Sequence, residues 1–139
     1  MKYYSLNNKT KTISFQEAAI QGLAPDNGLY FPETITPLST SFFDEIENLS
    51  NEEIAFEVIK QFVGNEIPDA ELKNIINETL CFDFPLVSVE ENIYSLELFH
   101  GPTMAFKDVG ARFMSRCLGY FNKNNDKQVT VLVATSGDT

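Results

Sequence analysis

At 139 residues, with 43% apolar and 12% aromatic side chains, the chain has the core-forming residues of one or two small folded modules and too many of them for a disordered tail. Twenty acidic against ten basic residues give a formal charge of -10, which works against the clustered Lys and Arg that counterion release requires, so no nucleic-acid partner is expected. No apolar run reaches the roughly 20 residues of a membrane span, and the N-terminal MKYYSLNNKTK lacks the apolar centre of a signal peptide; no membrane partner and a cytoplasmic location are expected.

In chain order, Ser14 and Glu17 form an S-x-x-E capping box and Gly22 a stop, which predicts a helix of about two turns between them. Pro25, Asp26, Asn27 and Gly28 form a turn of residues that tolerate positive φ, and Leu29, Tyr30 and Phe31 follow as a short extended piece. Residues 41–49 suit a short helix. A second capping box at Ser50 and Glu53 opens a longer one, with Ile54, Val58, Ile59, Phe62 and Val63 at helical spacing and Gly64 at its end. Pro68 and Asp69 start another, whose apolar face is Leu72, Ile75, Ile76, Thr79 and Leu80.

From Phe84 the period changes to two. Leu86, Val87 and Val89 lead through the polar EEN to Ile93, Tyr94, Leu96, Leu98 and Phe99, a hairpin pattern. After HGPT, a helix is expected over residues 104–121. The run QVTVLVAT then reads as a strand buried on both faces of a parallel sheet, so the chain enters an α/β layout at its end. SGDT stands where such a sheet opens a crossover helix, and the chain is therefore expected to be a piece of a longer protein. The composition places a division near residue 84: a helical module over 1–83, and the incomplete start of a parallel-sheet domain over 84–139.

Cys81 and Cys117 both fall among apolar residues without CxxC spacing, which suits reduced, buried thiols. One histidine, His100, rules out a His-rich metal cluster, and no metal site is expected; His100 itself reads as a structural loop residue.

Two places suit chemistry. In ELFHGPTMAFKDVGARF, Lys107 is expected one turn into an apolar helix, where the positive end of the helix dipole disfavours a cation by roughly 0.3–1 kcal/mol. Beside Met104, Ala105, Phe106 and Val109 a desolvated amine would be held neutral and nucleophilic, as a Schiff-base lysine must be; the alternative is a surface lysine paired with Asp108 or a nearby Glu. In SGDT, Ser136, Gly137, Asp138 and Thr139 would turn a strand into a helix N-terminus, where unpaired N–H groups can hold a carboxylate or phosphate; the alternative is an ordinary capped turn.

The segments MKYYS, SFQEAAIQGLAPDNGLYFPE, ELFHGPTMAFKDVGARF and ATSGDT, in this order over nearly the whole chain, resemble the N-terminal part of the threonine synthase family. These are pyridoxal-phosphate enzymes of the fold shared with tryptophan synthase β chains and cysteine synthases (fold type II). Asn27 replaces a usual glycine and Met104 a usual leucine, both mild changes. The resemblance implies a lyase of threonine biosynthesis that converts O-phospho-L-homoserine and water to L-threonine and phosphate. It implies pyridoxal 5'-phosphate as cofactor, Lys107 as its Schiff-base residue and general base, Phe106 packed near it, and Ser136, Gly137, Asp138 and Thr139 as substrate-binding residues. The groups that grip the cofactor phosphate and the pyridine nitrogen would lie in the C-terminal remainder of the same enzyme, leaving this segment inactive by itself. Another pyridoxal-phosphate β- or γ-replacement enzyme, or a non-catalytic binding protein of similar sequence, stays open.

Overall fold

The computed structural model describes residues 1–124, 130–132, 134 and 137. The chain divides into two compact units, Met1–Asn77 and Glu78–Thr139, each considered by itself. Among the described residues no helix is long and apolar enough to cross a membrane.

In the first unit, β1 (Lys2–Ser5) lies between β2 (Asn8–Ser14) and β3 (Tyr30–Pro32) in an antiparallel sheet of order β2-β1-β3. Neither β1 nor β2 is expected from the local sequence pattern. Their signal is a weak one, the alternation that buries Tyr3 and Ser5 and exposes Lys2, broken by a bulge between Tyr4 and Ser5. The capping box at Ser14 and Glu17 is present and starts α1 (Phe15–Gln21), which ends at Gly22 with φ 71. Glu66 adds a second cap, its carboxylate accepting from the N–H groups of Phe15 at 2.9 Å and Gln16 at 2.7 Å. Residues 41–49 form α2 (Thr40–Glu45) and a 3-10 turn (Ile46–Asn48).

The box at Ser50 and Glu53 opens α3 (Asn51–Val63), and Gly64 closes it. Its buried side differs from the expected stripe: Phe56 and Val63 are buried, while Val58 is exposed. The buried face is narrower than the expected stripe and includes Phe56, which lies outside it. In α4 (Asp69–Thr79) four of the five expected residues, Leu72, Ile75, Ile76 and Thr79, are buried, while Leu80 falls past the end of the helix and is only partly buried. Tyr3 ties β1 to α3 by donating its hydroxyl to the Phe62 carbonyl at 2.7 Å; burial, and then the Glu66 charge, push this phenol up to about 12.

The PDNG turn is a polar knot. Asn27 takes φ 62, as an asparagine can, and Asp26 Oδ1 accepts from the Ser5 hydroxyl at 2.6 Å and the Gly28 N–H at 2.9 Å. A Cβ on Gly28 would lie 2.0 Å from the Ser5 Oγ.

In the second unit, β4 (Leu86–Glu90) and β5 (Ile93–Leu96) form the expected hairpin, turning at Glu91 and Asn92, the latter with φ 61. Both faces are exposed, Leu86 and Ile93 among them. The helix expected over residues 104–121 begins four residues late, as α5 (Asp108–Phe121). Residues 101–107 are turns instead, because Met104 takes φ 56, a left-handed value that no helix interior allows. Cys117 is fully buried, and burial pushes its thiol up to about 11. Cys81 departs from expectation: it is exposed, just beyond the end of α4, with the Arg112 guanidinium 3.0 Å from its Sγ. Of the strand expected in QVTVLVAT, the described residues Thr130, Val131, Leu132 and Ala134 are exposed and carry no ladder; the rest lies outside the described residues.

Gly28→Ala should destabilise the protein by about 1–3 kcal/mol, the range for an overpacked site, because the new methyl must displace the Ser5 hydroxyl from Asp26. Urea unfolding followed by circular dichroism measures it, and a midpoint unchanged from wild type would refute the knot.

Candidate functional site

The loop of residues 99–107 carries the candidate lysine. His100 is held in it by Glu97, whose Oε2 lies 2.7 Å from Nε2, and by stacking on Phe99 with ring centroids 4.8 Å apart. Two backbone bonds shape the turns that follow: the Met104 N–H to the Gly101 carbonyl at 3.0 Å, and the Asp108 N–H to the Ala105 carbonyl at 3.0 Å. Lys107 occupies the N-cap position of α5, with φ -65 and ψ -16, rather than a place one turn into the helix. Its carbonyl accepts the Ala111 N–H at 2.9 Å and so begins the helical ladder. The side chain is half-buried, and its amine lies 6.0 Å from the centroid of the Phe106 ring. Phe106 is 64% exposed, an unusual state for so large an apolar group.

The residue that organises this loop is Asp108. It is only 4% exposed, and its carboxylate points back into the loop: Oδ1 accepts the Thr103 hydroxyl at 2.7 Å and Oδ2 the Thr103 N–H at 3.0 Å. Gly101 makes room for it, since a Cβ there would stand 2.3 Å from Oδ2 and 2.8 Å from Cγ. The Thr103 hydroxyl holds this carboxyl below its ordinary range, with the Thr103 and Ala105 N–H groups and the Arg112 charge acting the same way against desolvation. Met104, inside the clasp, is a bulky residue at φ 56, a strain of about 1–3 kcal/mol of the kind that functional loops retain.

From sequence alone Asp108 is no more than a possible surface partner of the Lys107 amine. The readable signal is Gly101-Pro102-Thr103 shortly before a first-turn Asp: a small residue, a donor and an acceptor at a helix start. Downstream, Arg112 donates to the carbonyls of Glu78 at 2.6 Å and Thr79 at 3.4 Å, and Arg116 pairs with Glu78 at 2.7 Å, so both arginines anchor α5. Of the four SGDT residues, Gly137 is exposed with φ 103. Ser136, Asp138 and Thr139 lie outside the described residues.

Because its folded value is depressed, ionised Asp108 contributes stability that is complete above the ordinary carboxyl value and lost as pH falls through the lower folded one. Asp108→Asn should therefore melt below wild type at neutral pH, with the two curves converging in acid. Thermal melts across that range check it, and a gap independent of pH would contradict the assignment.

The family model described as "Threonine synthase N terminus" matches residues 2–80. Threonine synthase of Escherichia coli (strain K12) is 40% identical over 139 residues, covering 100% of this chain and 32% of its own length. That of Saccharomyces cerevisiae is 42% identical over 152 residues, covering 96% and 30%. Among solved structures, PLP-bound threonine synthase from Brucella melitensis superposes with a TM-score of 0.85 at 34% identity, over 92% of this chain and 29% of that one. The Escherichia coli crystal structure gives 0.83 at 37% identity, over 87% and 28%. The chain thus spans about a third of the length of the curated relatives it matches. With a family model matched over more than half of its residues and relatives of this identity along its length, the chain belongs to the threonine synthase N-terminus family.

Proposed function

We propose that this chain is the N-terminal segment of a pyridoxal-phosphate-dependent threonine synthase, which converts O-phospho-L-homoserine and water to L-threonine and phosphate. The observation that carries the reading is Lys107, an amine set at the start of α5 by a loop whose shape is locked through Asp108, in a chain that threonine synthases match along its whole length. The residues present fit one side of the cofactor, with a primary amine on Lys107 for its aldehyde carbon and the exposed Phe106 ring for its pyridine. When bound, pyridoxal phosphate supplies an electron sink for charge developing on the substrate. Lys107 acts as general base at the substrate Cα and helps carry a proton away from Cβ and back to Cγ as phosphate leaves Cγ and water adds at Cβ. Ser136, Gly137, Asp138 and Thr139 bind the substrate carboxylate or phosphate through N–H and hydroxyl groups.

On this reading the chain divides into a module over 1–83 and the start of the cofactor domain over 84–139. The exposed apolar hairpin supports a further partner, the C-terminal remainder of the same enzyme. A two-stranded sheet is marginal alone, and Leu86, Val89, Ile93 and Leu96 are all more than half exposed. The free thiols Cys81 and Cys117 are in keeping with a cytoplasmic location. The 139 residues by themselves are inactive, since they supply the lysine without the groups that grip the cofactor phosphate.

The full-length enzyme should release threonine and phosphate in equal amounts from O-phosphohomoserine. Lys107→Ala should lower the rate by about 10³-fold, within the range for loss of a general base; full activity in that variant excludes the reading. The isolated chain should bind added pyridoxal phosphate only weakly, and a tight, Lys107-dependent absorbance would overturn its inactivity.

A further inference from the structure

An aspartate in the first turn of a helix ordinarily faces the helix's own free N–H groups or water. Asp108 does neither. Its two oxygens reach back five residues to Thr103, in the space left by the absent side chain of Gly101, and the carboxylate is closed from solvent. A buried carboxylate with both oxygens engaged is a poor proton carrier, because protonation would break bonds it already makes. It is a strong geometric restraint, and the peptide it restrains is the one next to Lys107.

We propose that Asp108 is a positioning residue for Lys107. The clasp of Gly101, Thr103 and Asp108 closes residues 101–108 into one conformation, which fixes the direction in which the Lys107 side chain leaves the start of α5. The inference rests on the function proposed above, in which that amine must reach the Cα proton of the substrate. A shift of about 1 Å in such a group can lower a rate by about 10²-fold. The left-handed Met104 belongs to the same restraint, since it is the strained residue that the clasp holds in place. The charge nearest the clasp from elsewhere on α5 is that of Arg112, one turn on, whose guanidinium is itself bonded to the Glu78 and Thr79 carbonyls.

The test uses the full-length enzyme with Asp108→Asn, Thr103→Val and Thr103→Ser. Asparagine keeps the shape but leaves one oxygen to accept two donors; valine keeps only the backbone donor; serine keeps both. Asp108→Asn and Thr103→Val should lower kcat by about 10–100-fold with KM within about threefold, and Thr103→Ser should restore kcat to within about twofold of wild type. In cofactor-free protein, acylation of Lys107 by an amine-selective reagent, mapped by mass spectrometry against Lys60, should change by about fivefold or more in the first two variants and not in Thr103→Ser. A lowered melting temperature with unchanged kcat and unchanged Lys107 acylation overturns the proposal, leaving the clasp a matter of stability alone. If Asp108→Asn fails to fold, the Thr103 pair decides between the same outcomes. If wild type makes no threonine, the proposed function fails, and the acylation comparison still decides whether the clasp sets the lysine.

Discussion

The hydrogen bonds between the Asp108 carboxylate and Thr103 are the constraint on which the lysine-bearing loop depends. A carboxylate taken out of water must find donors or stay protonated, and here the donors come from five residues upstream. That requirement pulls residues 101–108 into a closed turn. It also explains Gly101, where any side chain would occupy the place of the carboxylate. A solvent-exposed counterpart stands in the first unit, where Asp26 gathers the Ser5 hydroxyl and the Gly28 N–H, and a side chain on Gly28 would strike Ser5. In both units a short acidic side chain closes a loop that apolar packing could not hold, because loop backbone carries polar groups that must be bonded.

What the second clasp serves is a matter of position. Lysine has a long stem with many rotamers, so an amine is useful for proton transfer only if the backbone beneath it is fixed. Lys107 has that footing on both sides: its carbonyl starts the α5 ladder, and the next residue is anchored. α5 is anchored in turn by Arg112 and Arg116, whose bonds to residues 78 and 79 hold it within the second unit. The loop is thus set by its two ends, while its outer face, Met104 and Phe106, is left exposed.

Local rules account for the elements that the sequence announced. Both capping boxes, the glycine stops at Gly22 and Gly64, the buried face of α4 and the β4-β5 hairpin follow from residue types at fixed spacing. Where long-range packing decides, the local signal failed. The pairing of β1 with β2 and β3 depends on partners up to about thirty residues away, and polar threonines and asparagines disguise it. The choice of Phe56 over Val58 as the buried residue of α3 depends on what surrounds the helix, not on its period.

The sequence by itself determined the order of helices, the hairpin and the family, because capping, turn chemistry and motif order are written in neighbouring residues. Only the tertiary structure decided that this helix starts at Asp108, that Cys81 faces solvent, and that the aspartate beside the lysine turns inward. A side chain's direction depends on which donors and which free space the fold brings to it, and no spacing along the chain states that in advance.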